Sequence, residues 1–436
     1  MAATAWQRLI GDFVAPMDAS MSVHSPGFVD IADGRILASG PLAAAPEPPS
    51  GGGVDNVGGL LMPGMINGHA HSSMTLLRGS GEGLPLDRWL KEVIWPRESR
   101  LSPDDVEVGM MVGAVEMLRN GVTTSNEMYF FPEAVAAGAA RVGMRAIVGV
   151  TIIEGLERFG TPEEQFEAGL VLRDQMKDPL IEIAFGPHSA YTLREETLRR
   201  IRDEALARDM LVHIHVAETR TEGDGVTRRT GRTVPEYLAD LGMLECRMVA
   251  AHGVWLTDSD MALFGAHDVG VAHCPGSNGK LASGIAPVRA MREAGISVAV
   301  STDGPASNDN LDVLDEARLA LLYARLRDSD PSALGVGDAL RMITSEAARA
   351  VGRPDLGSLE AAKAADIVRV SLDRPEFEPI EQPADVLDLL VWAGSSRDVT
   401  DVWVGGDRVV EAGEVTTIAV DELRHDARRI AARIAG

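Results

Sequence analysis

Short, continuously apolar runs punctuate the middle of this chain, at about 60–66, 121–128, 144–150, 181–187, 210–217, 247–255, 269–274 and 297–302. Between them lie longer stretches with helical spacing of apolar residues, such as EETLRRIRDEALARD and PVRAMREAG. Runs such as MRAIVGV, IEIAFG and SVAVSTDG are apolar without alternation, which suits strands buried on both faces inside a parallel sheet covered by helices. Eight strand-helix units predict a closed (β/α)8 TIM barrel; a doubly wound open sheet is the alternative use of the same units.

The two ends read differently. VDIADGRILASG is two short strands around an Asp-Gly turn, and VTDVWVGGDRVVEAGEV is another pair around Gly405-Gly406. PLAAAPEPPSGGG, residues 41–53, is too rich in Pro and Gly for helix or strand and reads as a linker that separates residues 1–40 from the rest.

Composition narrows the function. Asp and Glu number 65 against 41 Lys and Arg, a net charge of −24, which repels nucleic acid and anionic membrane surfaces. A small-molecule partner is therefore expected, with self-association into a homo-oligomer left open. Two cysteines, Cys246 and Cys274, allow neither a disulfide framework nor a multi-cysteine metal cluster, which fits a reducing cytoplasm. The stretch MAATAWQRLIGDFVA lacks a basic start and is broken by Asp12, so it does not read as a signal peptide. The most apolar long segment, 134–153, carries Arg141 and Arg145 and is no membrane span.

In a parallel barrel, polar side chains at the C-terminal strand ends are placed for chemistry. Here those ends hold metal-type ligands. His69 and His71 close the first run in NGHAH, where a spacing of two puts both imidazoles on one side. His188 ends the fourth run, His213 and His215 lie in the fifth with Glu218 just beyond, His252 lies in the sixth, His273 in the seventh, and Asp303 ends the eighth. Seven of the ten histidines thus fall at or near strand ends. Imidazoles with one carboxylate suit a single Zn²⁺ or Fe²⁺, which lowers the pKa of a bound water towards ~7. His213, deeper in its strand, reads as a core polar group or as the partner of a ligand, and so does His273. The lone thiol Cys274 is read as core; His24, His267 and His425 are read as surface residues. The chain's four lysines are Lys91, Lys177, Lys280 and Lys363; none ends the fourth run, so a lysine-bridged pair of metals is not expected.

The segments PGMINGHAH, GPHSAY, VHIHVAET, AAHGVWL, HCPGSN, SGIAPV and STDGPASN resemble the amidohydrolase superfamily. Within it they resemble the branch of S-adenosylhomocysteine and methylthioadenosine deaminases and triazine chlorohydrolases, over nearly the whole length. The resemblance implies a small β-sandwich built from both chain ends, residues 1–60 and 362–436, around a catalytic barrel at 61–361. It implies one metal held by His69, His71, His215 and Asp303, an acid/base at Glu218, a second catalytic group at His252, and His188 on the substrate. The implied reaction is hydrolytic loss of ammonia from an aromatic carbon. Glu218 would protonate the adjacent ring nitrogen, Asp303 would take a proton from the attacking water, and His252 would hold that water and stabilise developing charge.

MTLLRGSGEGLPLDRWLKEVIWPRE resembles the family's lid, which implies Trp89 against the ligand and Glu98 on a ribose diol; a carboxylate can accept from both hydroxyls. The other reading of WLKEVIWPRE is an amphipathic helix with Trp89 in its core and Glu98 on its surface. Gly83, Glu127, Gly279, Pro305 and Asp309 depart from the adenosine-type pattern. No arginine matches those that hold a homocysteine carboxylate, Arg158 being the one candidate. An adenine-type nucleoside without that carboxylate is therefore favoured: methylthioadenosine, 5'-deoxyadenosine or adenosine ahead of S-adenosylhomocysteine. Another heteroaromatic ring (guanine, pterin, cytosine-like or triazine) is the alternative substrate, and a catalytically dead scaffold the alternative class. Asp303, able to handle an amine's protons, favours deamination over dechlorination.

Overall fold

The computed structural model describes residues 6–435; the first five residues of the N-terminal stretch read for a leader lie outside the described residues. The barrel strands are β1 (Met65–Ala70), β2 (Val122–Tyr129), β3 (Arg145–Ile152), β4 (Ile181–Pro187), β5 (Val212–Val216), β6 (Met248–His252), β7 (Gly270–His273) and β8 (Val298–Val300). They lie side by side in sequence order, all parallel. Beyond β8 the ring returns to β1, where the Asp303 N–H donates to the His69 carbonyl at 3.1 Å. A doubly wound sheet would reverse its strand order at a switch point, and this one does not.

The barrel floor explains why the polar residues collect at one end. Ile66, Ile147, Ala184, Val249, Ala272 and Ala299, from six strands, fill the interior with apolar groups. The helix Ser345–Ala350 closes it from below through Ala347 and Ala348. Buried histidines and carboxylates can then find partners only at the C-terminal mouth.

The chain ends form two sheets. One holds Arg35–Pro41, Gly27–Ala32, Gln7–Gly11 and Gly53–Asn56 in that order; the other runs from Glu414–Val415 through Asp407–Glu411, Val399–Val404, Ile367–Val370 and Leu60–Pro63 to Phe13–Val14. Leu9, Val29 and Ile36 of the first pack with Leu61, Ile367 and Trp403 of the second. Two expectations are corrected here. The run 60–66 is split, because Leu60–Pro63 pairs antiparallel with Ile367–Val370 and only Met65 onwards enters the barrel. The break falls at Gly64, where a Cβ would lie 2.1 Å from Thr123 Oγ1. The linker also does not set residues 1–40 apart, since Gly53–Asn56 returns to pair parallel with Gln7–Gly11.

Arg145 joins the barrel to the six-stranded sheet. At the start of β3 it makes two bonds to buried Asp366, at 2.9 and 3.0 Å. Removing one partner of such a pair strands the other charge, so Arg145→Ala is expected to cost about 3–5 kcal/mol, read as a lowered denaturation midpoint. An unchanged midpoint would show that the pair contributes nothing. The last helix, Val420–Ala435, leaves the sheets and packs on the barrel helix Pro103–Arg119, with Arg433 paired to Asp105.

Candidate metal centre and active site

Donor atoms of two overlapping triads, His69–His71–Asp303 and His69–His215–His252, each within 4.8 Å of one another, gather above the apolar floor. His69 Nε2 and His71 Nε2 each lie 3.3 Å from Asp303 Oδ1, and His71 Nε2 lies 3.3 Å from His215 Nε2. Ligands about 2.0–2.1 Å from a tetrahedral metal stand roughly 3.3 Å from one another, so the spacing matches a coordination edge. Protonation fits as well. The Nδ1 atoms of His71 and His215 face the Met128 and His188 carbonyls, which can only accept, so both Nε2 atoms keep a lone pair. His69 Nδ1 meets His213 Nε2 at 2.7 Å, and His69 Nε2 is buried without a hydrogen-bond partner. A buried nitrogen with no hydrogen-bond partner, close to other donor atoms, fits a metal ligand. These four residues fit one divalent metal.

Burial holds the His69 imidazole down at about 3, in the neutral form a metal needs. Burial also presses on His71, but the Asp303 carboxylate outweighs it and raises that ring to about 8, so a metal bound there would have to displace a proton from His71. Asp303 itself stays well below the usual carboxylate range: burial pushes it up, and contact with His69 and His71 more than offsets the push. Its Oδ2 accepts from Ser277 Oγ at 2.6 Å and Ser307 Oγ at 2.7 Å, which aims Oδ1 at the histidines.

Beside this set sit His252 and Glu218, their nearest atoms 3.8 Å apart. His252 Nδ1 is held by Asn278 Oδ1 at 3.0 Å. Burial raises the Glu218 carboxyl, a direction that suits a group exchanging protons near neutrality. His252 (φ 73°), Asp303 (φ 60°) and Ala217 (φ 52°), the neighbour of Glu218, all have left-handed backbone, a conformation that non-glycine residues adopt mainly where the surroundings impose it.

One cavity is lined by His71, His215, Asp303, Glu218 and His252 together with His188, Trp89 and Glu98. All nine expected site residues are thus in or beside one space, His69 lying at its floor. Glu98 is only 4% exposed, against the reading that put it on a helix surface, and burial lifts its carboxyl to about 7. The segment carrying it is one turn of α-helix (Leu86–Trp89), a π-turn (Leu90–Ile94) and another α-turn (Trp95–Glu98). Pro96 cannot donate to the helix ladder, and the wider turn before it swings Trp89 and Glu98 towards the cavity. Trp89 Nε1 is anchored on the Ser80 carbonyl at 3.0 Å. His188 Nδ1 lies 3.2 Å from Thr192 Oγ1, and its ring packs 4.8 Å from that of His215.

Sequence reasoning missed Asn278, Ser277 and Ser307, which hold catalytic-type groups, Tyr129, whose buried hydroxyl stands against Glu98, and Thr151, whose buried hydroxyl lines the cavity without a partner. Ser277, Asn278 and Ser307 stand within HCPGSN and STDGPASN, but nothing in their spacing assigns them a task. Four of the five departures from the adenosine-type pattern have local explanations. Glu127 accepts from the Ser72 N–H and hydroxyl at 2.9 and 2.6 Å, bracing the turn after His71. A Cβ on Gly279 would come within 2.7 Å of the Tyr323 hydroxyl. Asp309 pairs with Lys280 and accepts from the Gly79 N–H at the base of the lid segment. Gly83 has φ 76°, which glycine adopts freely. The structure offers no account of Pro305. Lys177 is exposed and bonded to the Asp174 carbonyl before β4, away from the site.

A parallel barrel with a three-histidine, one-aspartate donor set and a buried acid at its mouth defines a metal-dependent hydrolase. The chain belongs to the amidohydrolase family, whose match spans residues 60–409. It is 37% identical over 418 residues to a 5-methylthioadenosine/S-adenosylhomocysteine deaminase of Thermodesulfovibrio yellowstonii, covering 94% of each chain. It is 39% identical over 385 residues to a 5'-deoxyadenosine deaminase of Methanothermobacter thermautotrophicus, covering 88% of this chain and 89% of that one. Its fold superposes on the crystal structure of an adenosine deaminase from Xanthomonas campestris with bound zinc, with a TM-score of 0.94, 36% identity and 99% of each chain covered. No helix among the described residues is long and apolar enough to cross a membrane.

Proposed function

We propose that this protein is a metal-dependent aminohydrolase that removes the amino group of an adenine-type nucleoside as ammonia. The observation that carries this reading is the buried Glu218 beside the four-donor set, in one cavity with Glu98. A divalent metal held by His69, His71, His215 and Asp303 supplies Lewis acidity that makes a water nucleophilic near neutral pH. Glu218 delivers a proton to the ring nitrogen next to the attacked carbon. Asp303 accepts the proton that the attacking water loses, and His252, fixed by Asn278, holds that water and steadies developing charge. Trp89 and the apolar wall exclude solvent around the ring. Zn²⁺ is the metal favoured, given the zinc in the Xanthomonas structure, with Fe²⁺ the second choice.

Glu98, the Tyr129 hydroxyl beside it and the unpartnered hydroxyl of Thr151 suit the hydroxyl-rich end of a nucleoside. Among the described residues, neither Arg nor Lys lines the cavity, and its charged groups are acids and histidines. Arg158 lies instead over the Phe131 ring, 5.9 Å from its centre, and donates towards the Leu101 carbonyl. Methylthioadenosine, 5'-deoxyadenosine and adenosine are accordingly expected ahead of S-adenosylhomocysteine, whose carboxylate would meet no cation inside this cavity, Lys91 and Arg220 lining only the adjoining space that shares Leu86, Leu90, Trp95 and Tyr191 with it. The test is ammonia release and loss of adenine absorbance by the zinc-loaded protein across these four nucleosides. Turnover of none of them, or of triazine, guanine or pterin rings instead, would sink the reading.

Glu98→Gln is expected to raise KM for ribosides by about 10–100-fold, the worth of charge-assisted bonds to a diol, while changing kcat little. Only the ionised carboxylate accepts from both hydroxyls. With the Glu98 carboxyl at about 7, KM of the native protein should rise as pH falls through 7, and this rise should vanish in the variant. A 2',3'-dideoxynucleoside handled equally by both proteins completes the check; an unchanged riboside KM would remove Glu98 from the site.

A further inference from the structure

Glu222 is a buried carboxylate that the proposed reaction does not use. It is the third residue of the helix Arg220–Thr230, whose N-cap Thr219 accepts from the Glu222 N–H at 3.2 Å. At such a position an acidic side chain ordinarily reaches back to the N–H of the capping residue itself. Other helices among the described residues do so, with Asp105 reaching Ser102, Glu164 Thr161, Glu236 Thr233, Asp260 Thr257 and Asp338 Gly335, at 2.7–2.9 Å. Glu222 reaches past its cap. Its Oε2 accepts from the Glu218 N–H at 2.8 Å and its Oε1 from the Ala217 N–H at 3.2 Å.

Those two N–H groups belong to the turn that leaves β5 and carries Glu218 into the cavity. Ala217 has φ 52° there, which a residue with a Cβ adopts only under constraint. A carboxylate gripping both N–H groups supplies such a constraint, tying the turn to a rigid helix. It does so although it stands close to a second buried acid, an arrangement that burial and like charge both disfavour.

We infer that Glu222 is a positioning residue for Glu218: by holding the Ala217 and Glu218 N–H groups it fixes the backbone turn that aims the Glu218 carboxyl at the substrate ring. The inference rests on the role of Glu218 proposed above. Glu222 does not line the cavity that holds Glu218 and the donor set, so its effect should fall on kcat and pass through Glu218.

The test uses the zinc-loaded full chain with the best nucleoside substrate, and the variants Glu222→Ala and Glu222→Gln alone and combined with Glu218→Gln. Glu222→Ala is expected to lower kcat by roughly 10–100-fold, the scale of a catalytic group misplaced by about 1 Å, with KM within about two-fold and bound metal unchanged. Glu222→Gln keeps the shape but sets an NH₂ against one N–H, so a smaller loss of about 5–10-fold is expected. In the Glu218→Gln background either substitution should change the residual rate by less than about two-fold, because residues acting through one group are not additive. Amide hydrogen exchange should quicken at Ala217 and Glu218 in both Glu222 variants. The inference is overturned if both single variants keep normal kcat, if the loss persists in full without Glu218, or if KM and metal content fall with kcat. Should Glu222→Ala not fold, the glutamine variant with its exchange and double-mutant measurements decides by the same criteria. Near-normal activity of Glu218→Gln alone would instead refute the role of Glu218 itself.

Discussion

Glu218→Gln should lower the deamination rate by roughly 10²–10⁴-fold while leaving metal content and melting temperature unchanged. The amide has the shape of the carboxyl and can still accept a hydrogen bond, but it cannot take up and hand on a proton. Burial has already raised the Glu218 carboxyl, so the native group can carry a proton at the pH where the ring needs one. Its side chain projects into the cavity rather than supporting the core, which is why stability should not move. Binding of a nucleoside should persist, measurable by calorimetry on the inactive variant. Near-normal turnover would remove Glu218 from proton transfer, whereas loss of metal or of folding would show that the residue is structural.

Removing a donor of the metal set should abolish turnover and the thermal response to metal together. Zinc at about 100 times its dissociation constant stabilises a protein that binds it only when folded by ~2.7 kcal/mol, so metal stripped from the native protein should lower its melting temperature and added Zn²⁺ should restore it. His215→Ala deletes one corner of a set whose neighbouring donors stand 3.3 Å apart, and should neither retain stoichiometric metal nor regain the transition. The native protein and the variant must differ in this respect. A native preparation that stayed metal-free and indifferent to Zn²⁺ would support the scaffold reading over the enzyme. Retained activity in His215→Ala would exclude that residue from the set.

Much of this site can be read from local pattern. HxH at the end of a buried run puts two rings on one side whatever the rest of the chain does, and His215, Asp303 and Glu218 stand at or just past the ends of other runs for the same reason. Trp89 and Glu98 are less legible. A segment such as WLKEVIWPRE has one local appearance as a surface helix and another as a cavity wall, and the choice falls to Pro96, the π-turn and the Ser80 carbonyl that anchors Trp89. The role of His213 also needed the fold, since only the approach of β1 to β5 across the barrel mouth sets its Nε2 2.7 Å from His69 Nδ1.

The sequence by itself determined the strand count, the parallel barrel and the residue types gathered at its mouth, because periodicity and strand ends encode which face and which level a side chain occupies. It also assigned the run 60–66 to the barrel, since an apolar run looks the same in either sheet. Only the tertiary structure decided that Leu60–Pro63 pairs with Ile367–Val370, that Ser277 and Ser307 clamp Asp303, and that Glu222 passes over its own cap to the turn of Glu218. The physical reason is common to all three. A hydrogen bond between residues distant in sequence, or reaching beyond the usual local pattern, depends on where the backbone brings two groups, and local spacing carries no record of that.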